Sequence, residues 1–326
     1  MKTDIRQQIG EVLETLLNGG DIDYAAASGL TALKGADLWD LFSAAGRVRE
    51  RFRGRAVDLC SIVSAKSGRC SENCSYCAQS AHHATGAPVY PLIAVDRMAE
   101  AAASAKKNGA KRFCIVTSGR GIETRVDLEN IAKGVQRVRE LGLSPCATLG
   151  TLTKDQLSFL KAAGLHRYHH NIETSREYFP KVCTTHSFDE RLEVLGHARA
   201  VGLSVCSGGI LGMGESMDDR VKMAFLLREL DVDSIPLNFL MPMKGTPLEN
   251  STPLASLEAL HSIALFRLVL PGKQIRICGG RGSLGQLHPL IFAAGADGFM
   301  IGNYLTTSGL DPEQDLKMVR DQELTI

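Results

Sequence analysis

Apolar residues recur along this chain in two alternating rhythms, one helical and one extended. The first helical stretch, residues 4–17, sets Ile5, Ile9, Val12, Leu13, Leu16 and Leu17 on one face, and a second helix is predicted over residues 36–51. From about Arg55 onward, short β-type runs alternate with helical ones. The β-type runs fall at 56–65, 112–117, 144–149, 167–173, 203–208, 234–239, 274–278 and 298–301, which makes eight. Helical segments are predicted at 95–108, 128–141, 154–163, 188–200, 217–230, 254–270 and 285–294. Many of them stop at a glycine, as at Gly109, Gly142, Gly164, Gly202 and Gly295, where a left-handed residue ends a helix at no steric cost. Eight βα-type units in roughly 250 residues predict an α/β fold, a (β/α)8 TIM-type barrel with an N-terminal helical leader; a doubly wound open sheet is the alternative. The expected division is a leader at 1–54, a barrel at 55–310 and a C-terminal tail at 311–326.

Composition narrows the function. A net charge of +1 over 326 residues offers no basic face for nucleic acid, although a cleft can still hold a small anionic substrate. The opening MKTDIRQQIG lacks the apolar core of a secretory signal, and no run approaches a membrane span, so a soluble, cytoplasmic protein is expected. Nine cysteines, an odd number spread widely, do not resemble a disulfide framework and suit a reducing compartment where thiols serve metals.

Three of those thiols stand in CSENCSYC, as Cys70, Cys74 and Cys77, just past the first β-type run. The spacing C-x3-C-x2-C supplies three soft donors to a four-iron cluster and leaves one iron open, the arrangement a cluster needs to bind a small molecule as well as to pass electrons. Zinc is the competing reading, with His82 or His83 as a fourth donor. Cys114, Cys146, Cys206 and Cys278 lie on four different predicted strands. If each points inward, four thiols converge on the barrel axis, where a second metal cluster can sit; the alternative is four small buried hydrophobes. Cys60 and Cys183 show no comparable partners and are expected to be ordinary buried thiols. Arg112 and Arg276 share a strand face with Cys114 and Cys278, and a guanidinium is a poor ligand but a good partner for an anionic cluster.

With these motifs in view, the chain resembles the radical S-adenosylmethionine (SAM) enzymes, and within them the biotin synthase family. YHHNIETS at 168–175, TTHSFDERLEVL at 184–195, VCSGGILGMGES at 205–216, MKGTPL at 243–248 and IRICGGR at 275–281 all follow in that family's order. The resemblance spans roughly residues 55 to 310. It implies sulfur insertion into dethiobiotin to give biotin, with a [4Fe-4S] cluster on Cys70, Cys74 and Cys77, SAM as radical source, and an auxiliary iron-sulfur cluster as sulfur donor. That cluster would be a [2Fe-2S] or a larger four-iron form. A saturated C–H bond resists acid-base chemistry, which is why such a reaction needs a radical cofactor.

The resemblance also implies roles for single residues. Tyr76 would lie near the adenine of SAM, and the run from Gly208 through Ile210 and Gly212 would support it. Glu173 stands where the family commonly has Asp at the ribose, Arg191 matches a partner of the SAM carboxylate, and Asn171 and Asn238 match residues at the ureido ring of the substrate. His169 and His170 fit core or supporting roles better than metal ligation. Arg276 matches the arginine that ligates the family's two-iron cluster, while Cys278 falls where a small non-ligand residue is usual; Cys278 is the expected fourth thiolate, with Arg276 as the alternative. A flavodoxin- or ferredoxin-type electron donor, iron-sulfur assembly machinery and a homodimeric state are the implied partners. Other radical SAM enzymes, of the hydrogenase-cofactor maturase or methylornithine synthase type, and a non-catalytic iron-sulfur carrier are the competing functions; the barrel cysteines argue against the first and a SAM-shaped cleft against the second.

Overall fold

The computed structural model describes residues 5–303, 305 and 309–326. Residue 4 of the predicted first helix lies outside the described residues, as do 1–3 of the expected leader and 304 and 306–308 of the expected barrel. The leader consists of α1 (Ile5–Leu17), α2 (Tyr24–Gly29) and α3 (Ala36–Arg53). Strand and helix then alternate: β1 (Asp58–Lys66), α4 (Val95–Lys107), β2 (Arg112–Thr117), α5 (Arg125–Glu140), β3 (Ser144–Thr148), α6 (Lys154–Ala162), β4 (Arg167–His169) and α7 (Phe188–Ala200). The second half runs β5 (Ser204–Cys206), β6 (Gly209–Leu211), α8 (Met217–Glu229), β7 (Ser234–Phe239), α9 (Ser256–Val269), β8 (Gln274–Ile277), β9 (Gly298–Met300) and α10 (Pro312–Asp321).

Every strand pairing is parallel, and the sheet closes on itself. β1 lies between β2 and β9, while β5 meets β7 through Cys206 and Ser234. β6 pairs with β7 in the same register, so β5 and β6 form one stave and the barrel has eight. The closed barrel expected from the sequence therefore forms, and the open sheet does not. Strands covered on both faces read as continuous apolar runs, and β2 is buried at each of its six positions. Capping boxes start three of the outer helices, Thr153 with Gln156, Ser187 with Glu190 and Ser216 with Asp219, fixing where the loops above the barrel end.

Three predicted elements change. The fifth strand, expected over 203–208, breaks after Cys206 and resumes as β6 at Gly209. The fourth strand, expected over 167–173, ends at His169. Beyond it the chain leaves the sheet, and Glu173 adopts a left-handed φ of 70° before a single bridge to Gly209. The helix expected over 285–294 is instead a kinked 3-10 stretch, Arg281–Ile291, because Gly285 takes a φ of 53° and Pro289 has no N–H to give. Residues 312–321 form α10, and Val57 N–H donates to the Thr325 carbonyl at 2.7 Å, tying the end of the described chain beside β1.

Candidate functional site: two thiol groups in one barrel

A cavity of about 410 Å³ opens at the C-terminal ends of the strands. Cys70, Cys74 and Cys77 line it from the loop after β1, and Cys114 lines it from within β2. The loop is held by its own backbone: Cys70 N–H donates to Gln79 O at 3.0 Å, Ala81 N–H to Cys70 O at 2.7 Å and Cys77 N–H to Cys74 O at 3.0 Å. His82 Nε2 bonds Ser71 O at 2.9 Å and His83 Nε2 bonds Cys74 O at 3.0 Å, so these rings brace the loop backbone. That engagement weakens the zinc reading, which needed one of them beside the thiols. Burial pushes the Cys77 thiol up to about 11, a cost that a bound cation reverses by stabilising the thiolate.

Cys183, expected to be solitary, is not. Its Sγ lies 3.3 Å from Asn73 Oδ1, Thr185 Oγ1 and His186 Nδ1. The ligand atoms of Cys74, Cys183 and His186 lie within 4.8 Å of one another. The short spacing Cys183-x2-His186 was the available signal in the sequence. His186 also contacts the Glu72 carboxylate, which Arg120 approaches at 3.4 Å.

Deeper in the barrel, β2 and β3 set Cys114 directly opposite Cys146, and Cys114 Sγ lies 3.4 Å from Thr148 Oγ1. The charge of Cys206 on β5 raises the Cys278 thiol just after β8, and the charge of Cys146 in turn raises the Cys206 thiol. All four are at most 5% exposed. Cys60, the other cysteine expected to be solitary, interacts with Cys278; that interaction, and the Arg276 charge after it, draw its thiol down to about 6. Cys278 is distant from Cys60 in sequence, and Cys74 from Cys183, whereas His186 stands only three residues past Cys183.

Beneath these thiols lie Arg112, Arg167 and Arg276, all buried. Arg276 Nη2 donates to Gln274 Oε1 at 2.7 Å and approaches Asp58 Oδ1 at 3.0 Å; Arg167 Nη1 donates to Gln274 Oε1 at 2.8 Å; Arg112 Nη1 donates to Ser144 Oγ at 2.8 Å. The Nε atoms of Arg112 and Arg276 are buried without a hydrogen-bond partner. Soft donors above a cationic floor with unused N–H groups are chemistry that fits an anionic iron-sulfide core.

Residues assigned to SAM and substrate surround the mouth. Tyr76, Asn171, Glu173, Arg191, Ile210 and Asn238 line the cavity. Gly208 and Gly212 stand behind Ile210: a Cβ on Gly208 would meet Pro236 O at 2.0 Å, and Gly212 has a φ of 96° with its N–H given to Glu215 Oε1 at 2.8 Å. Arg191 Nη1 donates to Asn171 O at 2.8 Å and faces Glu173 Oε1 at 3.5 Å. Asn171 accepts from Gly208 N–H at 3.1 Å, and Asn238 accepts from Gly279 N–H at 2.8 Å while donating to Gly209 O at 3.1 Å. His169 is held neutral, near 4, mainly by burial, and its Nε2 contacts Asn171 Oδ1 at 2.7 Å.

A closed parallel barrel carrying three cysteines on the loop after its first strand defines a radical SAM enzyme, and residues 65–227 match the profile of the Radical SAM superfamily. Residues 236–325 match the Biotin and Thiamin Synthesis associated domain. The chain is 51% identical over 324 residues to the biotin synthase of Geotalea daltonii, covering 99% of this chain and 98% of that one. It is 50% identical over 318 residues to the biotin synthase of Pelotomaculum thermopropionicum, covering 97% and 99%. The chain belongs to the biotin synthase family. A [4Fe-4S] cluster and SAM are accordingly its cofactors. Among solved structures, methylornithine synthase superposes with a TM-score of 0.84 at 21% identity, covering 96% of each chain, and the FeFe-hydrogenase maturase of Carboxydothermus hydrogenoformans with 0.80 at 16%, covering 98% and 79%; these likenesses concern the fold alone. Among the described residues no helix is long and apolar enough to cross a membrane.

Proposed function

We propose that this enzyme inserts sulfur into dethiobiotin to form biotin, acting as a radical SAM sulfurtransferase whose sulfur comes from an auxiliary iron-sulfur cluster. The observation that carries the reading is that one cavity is lined by Cys70, Cys74 and Cys77 at its mouth and by Cys114 at its base. A substrate lodged there is within reach of both thiol groups at once.

In this reading Cys70, Cys74 and Cys77 hold the [4Fe-4S] cluster, which together with SAM supplies the 5′-deoxyadenosyl radical that a saturated C–H bond requires. Tyr76 packs near the adenine, Glu173 takes the ribose hydroxyls, Arg191 takes the SAM carboxylate, and Gly208, Ile210 and Gly212 form the wall behind them. Asn171 and Asn238 address the ureido ring, where an amide both donates and accepts. Ile62, Val116 and Leu305 give the cavity apolar walls that keep water from a carbon radical. Cys114, Cys146, Cys206 and Cys278 hold the auxiliary cluster, a [2Fe-2S] or a larger four-iron form. Cys278 suits the fourth position better than Arg276, because that guanidinium already serves Asp58 and Gln274. A flavodoxin- or ferredoxin-type donor, iron-sulfur assembly machinery, a homodimeric state and a cytoplasmic location complete the proposal.

The test is anaerobic reconstitution followed by one assay with SAM, a strong reductant and dethiobiotin, scoring 5′-deoxyadenosine and biotin together. Both products are expected. Deoxyadenosine without biotin would refute the substrate while keeping the radical chemistry.

A further inference from the structure

Cys60 is a thiol that the proposed chemistry leaves without a task. It lies on β1 two residues before Ile62, which lines the cavity, and residues two apart on a strand share a side. Cys60 therefore faces the barrel interior one layer below Ile62, where it is 4% exposed. Gly298 on β9 stands opposite both Asp58 and Arg276, whose side chains meet at 3.0 Å, so Cys60 and Cys278, each two residues further along its strand direction, lie at one level on either side of β9.

The barrel thiols are not evenly spread. They fall into two pairs by strand register, Cys114 with Cys146 and Cys60 with Cys278, and Cys206 is in electrostatic reach of Cys114, Cys146 and Cys278. Two thiolates on one tetrahedral metal, with bonds of about 2.3 Å, sit roughly 3.8 Å apart, a hydrogen-bonding separation for sulfur. Thiolates on different metals of a cluster stand farther apart. Each pair sets two inward thiols at matching positions of the barrel, the arrangement that two ligands of a single metal require. A buried thiol in an apolar core needs no metal to explain it, but Cys60 sits beside a thiol, a guanidinium and the Asp58 carboxylate, which is no apolar core.

We propose that Cys60 is a ligand of the auxiliary iron-sulfur centre, chelating one iron together with Cys278. The inference rests on the reading of the barrel thiols as that centre's ligands. It gives the floor of the barrel two thiolates where the family pattern offers an arginine, and leaves Arg276 to neutralise their charge.

The test uses the full chain with Cys70, Cys74 and Cys77 changed to Ala, so that only barrel iron is counted after anaerobic reconstitution. Iron and acid-labile sulfide per chain are compared in this parent and in versions carrying Cys60→Ser or Cys278→Ser, with Mössbauer spectra of each. The expected result is that Cys60→Ser loses or alters barrel iron as Cys278→Ser does. Full iron and an unchanged spectrum in Cys60→Ser would overturn the proposal. A parent without barrel iron would instead overturn the auxiliary-centre reading. Iron-edge anomalous diffraction from the reconstituted wild-type chain decides the matter without relying on a variant's folding: iron within bonding distance of Cys60 Sγ supports the assignment, and iron bound only by the other thiols ends it.

Discussion

The carboxylate of Glu173 stands 3.5 Å from the guanidinium of Arg191, and both side chains are nearly closed off from solvent. Glu173 reaches this place through a left-handed backbone, φ 70°, stabilised by the bond from Ile210 N–H to Glu173 O at 2.9 Å. Removing one partner of a buried ion pair costs about 3–5 kcal/mol, because the other charge is left uncompensated. Glu173→Ala is expected to lose stability of that order in denaturant unfolding, and to lose SAM affinity in calorimetric titration. Undiminished affinity in the folded variant would remove Glu173 from the SAM site.

Close backbone approach makes a second, sharper test. A Cβ on Gly209 would lie 2.1 Å from Glu173 O, so Gly209→Ala must push Glu173 away. Overpacking of this kind costs about 1–3 kcal/mol, and SAM cleavage should fall at least tenfold. Gly196, inside α7 with open space around its Cβ position, is the control. Gly196→Ala should leave cleavage unchanged and raise the thermal midpoint slightly, since alanine is favoured over glycine by up to about 1 kcal/mol in a helix.

Cys183 Sγ lies within 4.8 Å of Cys74 Sγ without belonging to the three-cysteine motif. If Cys70, Cys74 and Cys77 alone carry the loop cluster, Cys183→Ala keeps its iron while Cys74→Ala loses it. Iron analysis and the EPR signal of the reduced cluster distinguish the two. Loss of the signal in Cys183→Ala would add a ligand to the loop.

Acid should weaken the fold through His288. Burial, then the nearby Arg281 charge, lower its pKa from 6.5 to about 3, and Arg281 Nη1 donates to its Nε2, which requires a neutral ring. The unfolded chain therefore takes up this proton near pH 6.5 and the folded chain does not. Stability is full above pH 6.5 and declines as pH falls toward 3. His288→Gln should flatten the slope of unfolding free energy against pH across that window, measured in urea; an unchanged slope would show that His288 does not contribute.

The extent to which the sequence disclosed this molecule differs from element to element. β2 and β7 match their predicted spans residue for residue: β2, buried on both faces, leaves an unbroken apolar run between Arg112 and Thr117, and β7 is apolar except for Asn238 past its polar start at Ser234. β4 is shorter than its apolar pattern suggests, since residues after His169 leave the sheet to carry Asn171 and Glu173 to the cavity, a tertiary demand that overrides strand propensity. The facing of Cys114 and Cys146 follows from strand alternation and neighbouring positions in the barrel. The contacts of Cys60 with Cys278 and of Cys183 with Cys74 do not, because closure of the barrel and folding of the loop over it bring together positions that no local period relates.

Helix α9 is buried at every position from Ala259 to Val269, packed between the barrel and α3, and His261 Nε2 reaches back to Leu30 O at 2.8 Å. The first helices thus act as a permanent cover over greasy surface rather than as a detachable appendage. A chain trimmed of residues 5–53 would present that surface to its neighbours and clump, however intact its sulfur chemistry.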